Sequence, residues 1–170
     1  YRCIYCYASE NAAQLEGCDN LTLTDFKRII AEGKELGVEL INLTGGEALL
    51  HKDIFELIQY IYQQCLDILL FTNGMLIDDE IARQLFHYHC SLCLKLDSLE
   101  KSKYEYFTGF NGLENTKSLI ETLLSLGYNK PGNPTLEINA IATKANAAEI
   151  PVIWRWARER AKPLLLKLPL

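Results

Sequence analysis

The sequence predicts an α/β fold built on a parallel β-sheet, and three observations carry that prediction. Helix-type and strand-type hydrophobic patterns alternate along the chain, five of each. The strand segments are short and mostly apolar, as expected for strands covered on both faces. Helical segments join successive strands, which parallel pairing requires. Right-handed crossovers then leave either a doubly wound sheet or a barrel.

Each element has its own signals. Thr24 is a plausible N-cap, and Phe26, Ile29, Ile30 and Leu36 follow at helical spacing until Gly37 stops the helix. Residues 38–43 read as a strand, followed by the turn Thr44-Gly45-Gly46-Glu47. A second helix begins at Asp53, with Ile54, Leu57, Ile58 and Ile61 on one face. Residues 67–72 form an almost wholly apolar strand that ends on the turn signal Asn73-Gly74. Residues 79–88 are a third helix and 91–97 a third strand. A longer connection, 98–111, is rich in Tyr and Lys. Residues 113–126 carry Leu119, Ile120, Leu123 and Leu124 at helical spacing and stop at Gly127. Residues 129–134 are a loop, 135–142 an alternating strand, and 147–161 a fifth helix with Pro151 in its first turn. Residues 164–168 make a last strand. The chain opens on a loop with a helix behind it, so a further strand is expected upstream of Tyr1.

Composition narrows the function classes. The chain has 170 residues, half of them apolar, enough for one globular domain with a real core. The net charge is −5 and the charges are well mixed, so there is no basic footprint for nucleic acid. No apolar run approaches the ~18 residues a membrane span needs. The six cysteines would suggest a disulfide framework in a small secreted domain. This chain is too long and too rich in core residues to need one. A reducing, cytoplasmic setting with metal-binding cysteines is the expectation.

The opening Tyr1-Arg2-Cys3-Ile4-Tyr5-Cys6-Tyr7 holds two cysteines two residues apart. That spacing suits two thiolates on one metal or iron–sulfur cluster, half of a zinc site, or a redox dithiol. Arg-Cys-Ile-Tyr-Cys-Tyr resembles the second half of the radical S-adenosylmethionine (SAM) signature, C-x-x-x-C-x-φ-C, with φ aromatic. Cys3 and Cys6 match its second and third cysteines and Tyr5 its aromatic position. The first cysteine would fall two places before Tyr1. Leu43-Thr44-Gly45-Gly46-Glu47 follows a strand ~40 residues on, as the family's Gly-Gly-Glu motif does.

The resemblance implies a partial (β/α)6 barrel. It makes residues 1–170 a radical SAM core domain truncated at both ends, with the first strand and the C-terminal part missing. It implies a [4Fe–4S] cluster ligated by thiolates, including Cys3 and Cys6, whose open iron chelates SAM. The reduced cluster cleaves SAM to a 5′-deoxyadenosyl radical that abstracts hydrogen from a peptide or small-molecule substrate. An electron donor such as flavodoxin or ferredoxin is implied as a partner. Tyr5 is expected near the adenine, and Gly45, Gly46 and Glu47 at the SAM amino group. Asn73, Lys95, Ser98 and Asn139 are the further cofactor-binding candidates, with Asp97 and Glu137 beside them. With two of three cysteines, the chain as given is expected to hold a cluster poorly, and Cys18 is a weak substitute. The long fourth connection and residues 149–154 look similar to members with a C-terminal SPASM or twitch domain.

Other features have plainer readings. Cys90 and Cys93 could complete a four-cysteine zinc set, making the chain a zinc-stabilised or degenerate barrel that only binds. Their place at a buried strand favours packing instead. Cys65 is expected in the core. His87 and His89 suit a helix C-terminus, and His51 could lie near the site. Tyr104, Tyr106, Phe107 and Phe110 could line the substrate mouth or fold back as a satellite cluster. Residues 162–170 fit a sixth barrel strand poorly in polarity.

Overall fold

A computed structural model of the chain describes residues 3–6 and 21–160, together with the backbone of 164–167. Cys18 and the polarity of 162–170 therefore lie outside the described residues. Helix α1 spans Leu23–Glu35, starting from Thr22 rather than Thr24. Thr22 Oγ1 accepts from the Asp25 amide while the Asp25 carboxylate accepts from the Thr22 amide, a capping box that satisfies two otherwise unpaired donors. Strand β1 (Leu40–Leu43) follows, then α2 (Ile54–Gln63), β2 (Asp67–Thr72), α3 (Asp79–His87) and β3 (Cys90–Lys95). Beyond these come α4 (Lys101–Thr108), α5 (Leu113–Leu126), β4 (Leu136–Ile141), α6 (Ile150–Arg160) and β5 (Leu164–Lys167).

The five strands pair in parallel in chain order, β1-β2-β3-β4-β5, as one open sheet. That is the parallel α/β architecture expected from the helix–strand alternation. The two-residue period of a strand sorts the side chains. Ile68 and Leu70 of β2, Leu92 and Leu94 of β3, and Leu136 and Ile138 of β4 face one side. There they join Ile58, Ile61, Leu85, Ile120 and Leu123 from the helices in the main core. The opposite face is not uniformly apolar, contrary to the reading of strands apolar on both sides. It carries Ser91, Cys93, Lys95, Glu137 and Asn139, because it borders a cleft rather than a helix layer.

The connection 98–111 holds a helix that the sequence reading treated as loop. α4 buries Tyr104, Phe107 and Thr108, one i, i+3, i+4 set. Its start is held by a distant side chain. Glu149 accepts from the amides of Leu99 (2.7 Å) and Glu100 (3.2 Å) and from the Ser98 hydroxyl (2.8 Å). Tyr104 belongs to the main core, and its hydroxyl is 2.8 Å from Thr116 Oγ1. The aromatic set is thus split: Tyr104 and Phe107 are buried, whereas Tyr106 and Phe110 are exposed.

Cys65 is a correction. It lies past the end of α2, exposed, at φ 55°, because Gln64 closes the helix and the chain turns there into β2. Cys90 and Cys93 are buried as expected. They are three apart in one strand, so they face opposite sides of the sheet. Trp156 packs against the core, while Trp154 is exposed. Among the described residues, no helix is long and apolar enough to cross a membrane.

Candidate functional site

The carboxyl ends of β1 to β4 open into a cleft of about 390 Å³, the end where parallel α/β folds place function. Its walls come from segments far apart in sequence. The Cys3–Cys6 turn forms one wall, and the Gly45–Glu47 turn after β1 another. The floor comes from the inward positions of β2 to β4: Phe71, Cys93, Lys95, Asn139 and Ile141.

The cysteine turn closes with the Cys6 amide donating to the Cys3 carbonyl at 3.0 Å. The Ile4 amide donates to the Phe107 carbonyl of α4 at 3.2 Å. The Tyr5 hydroxyl donates to Asp97 Oδ2. The Tyr5 ring lies 5.8 Å from that of Phe107, and Lys95 Nζ sits 4.7 Å over its centroid. Burial, then the neighbouring Asp97 carboxylate, holds the Tyr5 phenol protonated well above its usual range. Burial also raises the Cys3 thiol, with Lys95 opposing that shift.

Gly45 and Gly46 present bare backbone to the cleft. A Cβ built on either would meet no heavy atom within 4 Å. The space beside them is open, so a ligand can approach this backbone closely. Glu47 ties this turn to the next strand: its Oε1 accepts from Thr72 Oγ1 (2.8 Å) and from the Leu49 amide (3.3 Å). Its Oε2 accepts from the Asn73 amide at 3.0 Å. The Asn73 side chain in turn accepts from the Met75 amide at 2.8 Å.

On the floor, Lys95 Nζ lies 3.0 Å from Asp97 Oδ1. It makes no aligned hydrogen bond there or elsewhere among the described residues, so the contact is a charge pair with donors to spare. Asn139 is 8% exposed, and its Oδ1 has no partner among the described residues. A buried amide oxygen left unpaired beside a cleft is an acceptor waiting for a donor. Glu137, on the same face of β4, has its carboxyl raised by burial.

The structure thus brings Cys3, Tyr5, Cys6, Gly45, Gly46 and Glu47 to one cleft, with Asn73, Lys95 and Asn139. Ser98 stands apart, buried, with its hydroxyl on Glu149 at 2.8 and 3.0 Å. β3 ends at Lys95, and past it Ser98 turns to the start of α4, where its hydroxyl also accepts from the Glu100 amide at 3.0 Å. His51 does not line the cleft either; its Nδ1 accepts from the Asp53 amide. Sequence reading missed the part α4 plays in seating the cysteine turn. The spacing of Tyr104, Phe107 and Thr108 was its available signal. No group of three metal-ligating side chains exists among the described residues, so Cys3, Cys6, Cys90 and Cys93 form no zinc set.

The two thiols, the bare glycine backbone and the unpaired Asn139 acceptor suit a polar cofactor beside a thiolate-held cluster. Comparison with known proteins points the same way. The radical SAM superfamily matches residues 1–139. The GTP 3′,8-cyclase of Rhizobium meliloti (strain 1021) is 34% identical over 98% of this chain and 47% of its own length. A probable GTP 3′,8-cyclase of Pyrococcus horikoshii is 31% identical over 92% of this chain and 48% of its own length. The chain therefore spans about half the length of the curated relatives it matches. Among solved structures, Streptococcus suis SuiB bound to S-adenosylmethionine superposes with a TM-score of 0.79 at 19% identity, covering 98% of this chain and 36% of SuiB. SuiB has also been solved with its precursor peptide SuiA. At that identity the likeness is one of fold.

Proposed function

This chain belongs to the radical SAM superfamily, and from that premise we propose that its cleft binds S-adenosylmethionine beside a [4Fe–4S] cluster ligated in part by Cys3 and Cys6. One observation carries the reading: both thiols and the bare Gly45–Gly46 backbone face the same cleft. When bound, the cluster supplies the electron for reductive cleavage of SAM, the start of hydrogen abstraction in this superfamily. The chain's own residues bind and orient. The Gly45–Gly46 backbone lets the methionine end of SAM lie close to the turn. Glu47 offers negative charge to its ammonium group while bracing the tops of β1 and β2. Asn139 Oδ1 accepts a hydrogen bond deeper in the cleft. Lys95 supplies spare N–H donors, Tyr5 an apolar ring wall, and Asn73 the rim after β2.

The reading extends to a longer protein of which residues 1–170 are core-domain sequence. It works in a reducing cytoplasm and takes electrons from a flavodoxin- or ferredoxin-type donor. A purine nucleoside triphosphate is the substrate class we favour, because the two relatives named above, 34% and 31% identical, are a GTP 3′,8-cyclase and a probable one. The peptide-binding likeness is one of fold at 20%.

The test is anaerobic reconstitution of that longer protein with iron and sulfide, followed by titration with SAM and then GTP. Iron uptake lost on substituting Cys3 or Cys6, with SAM binding that GTP strengthens, is the expected result. Equimolar zinc with no iron uptake would overturn the cofactor reading, and SAM binding indifferent to GTP would overturn the substrate reading.

A further inference from the structure

Asp97 has the look of a ligand residue in sequence, at the end of β3 and on the cleft face with Lys95. The structure gives it other work. Its side chain is fully enclosed, at 0% exposure. Oδ1 accepts from the Ile141 amide at 2.7 Å and pairs with Lys95 Nζ at 3.0 Å. Its main-chain carbonyl accepts from Asn146 Nδ2 at 2.8 Å, and the same Nδ2 reaches the Ile141 carbonyl at 2.9 Å. The carboxylate is therefore fixed from β3 and β4, and the main chain of Asp97 from the turn after β4. Its remaining oxygen takes the Tyr5 hydroxyl, from the turn that carries Cys3 and Cys6.

We propose that Asp97 is a positioning residue that docks the Cys3–Cys6 turn onto the barrel through Tyr5, holding both thiols at the cleft before any cluster is present. The physical case rests on anchoring. The turn contains four residues, too few to hold a shape of its own against chain entropy. A charge-assisted hydrogen bond to an acceptor that cannot move ties it to the sheet. The Ile4–Phe107 backbone bond holds the other side of the turn to α4. Lys95 serves the same arrangement twice, pairing with Asp97 and covering the Tyr5 ring. What a pre-seated pair of thiols would do for cluster assembly rests on the function proposed above; the docking itself does not.

The experiment is alkylation by N-ethylmaleimide of the metal-free protein, read cysteine by cysteine by peptide mass mapping. Exposed Cys65 serves as the internal reference. In the unmodified protein, Cys3 and Cys6 should label more slowly than Cys65. Tyr5→Phe removes one O–H, keeps the ring, and leaves the core untouched. It should label Cys3 and Cys6 about tenfold faster, the loss of one hydrogen bond to a charged acceptor, with Cys65 unchanged. Asp97→Ala should do the same, and the double variant should label no faster than Asp97→Ala alone, because both changes cut one link. If Asp97→Ala fails to fold, Tyr5→Phe decides alone. Unchanged labelling of Cys3 and Cys6 in Tyr5→Phe would overturn the proposal. So would faster labelling of Cys90, which faces the main core away from the cleft, since that would mean general loosening. Docking confirmed in a protein that takes up neither iron nor SAM would leave this inference standing and sink the proposed function instead.

Discussion

Replacing Glu47 with Gln separates two roles that one carboxylate holds in this cleft. Glu47 accepts three hydrogen bonds, two on Oε1 and one on Oε2. An amide has one acceptor oxygen. If that oxygen takes the Oε1 place, the new NH2 group points at the Asn73 amide, and two donors face each other. If the amide flips, the Leu49 amide loses its acceptor, while the Thr72 hydroxyl can turn to accept. Either way one backbone N–H loses its partner in a half-buried site, which costs about 1–3 kcal/mol. In a chain of 170 residues, that lowers the melting temperature by about 2–12 °C. The assay is paired: thermal unfolding without ligand, and SAM titration well below the transition. Glu47→Gln should lower both stability and SAM affinity. A variant with full thermal stability and lost SAM binding would refute the bracing argument. A destabilised variant with unchanged affinity would refute the ammonium contact.

Three further outcomes follow from two glycine sites and one buried thiol. Gly46→Ala should leave stability within about 0.5 kcal/mol, since its Cβ meets nothing, yet weaken SAM binding by roughly tenfold or more. Gly74→Ala makes the contrast, because at φ +80° its Cβ would stand 2.7 Å from Leu119 Cδ2, and a loss of about 1–3 kcal/mol in urea unfolding is the expected outcome. Burial pushes the Cys90 thiol up to about 12 from its ordinary 9.0. The fold favours the protonated form, so this stabilisation is complete below pH 9 and lost as pH climbs toward 12. The slope is at most about 1.4 kcal/mol per pH unit, and Cys90→Ala should flatten it in urea titrations between pH 8 and 11.

How much of this was legible follows from how local each signal is. The helix–strand alternation fixed the order of the strands and of every helix but α4, since both periods are properties of neighbouring residues. Segment 67–72 matched β2 residue for residue because Asp67 and the Asn73-Gly74 turn bound it on both sides. α1 was misplaced by two residues because Thr22 and Thr24 are both good caps, and the Asp25 partner decides between them. The cysteine pair, the Gly-Gly-Glu turn and the Asn139 face were readable, because each is a short motif or a two-residue alternation.

What the chain order could not give was whatever depends on a distant partner. α4 has no capping side chain of its own at Glu100, so its start rests on Glu149, nearly 50 residues away. Ser98 looked like a ligand until Glu149 took its hydroxyl. Asp97 looked like one until both its oxygens were occupied. By itself the sequence determined the parallel α/β order, the superfamily motifs and the face each strand residue takes. The tertiary structure alone decided which polar groups are spent on holding the barrel and which are left to meet a ligand. A hydrogen-bond partner is chosen by proximity in space, and that proximity exists once the strands have paired.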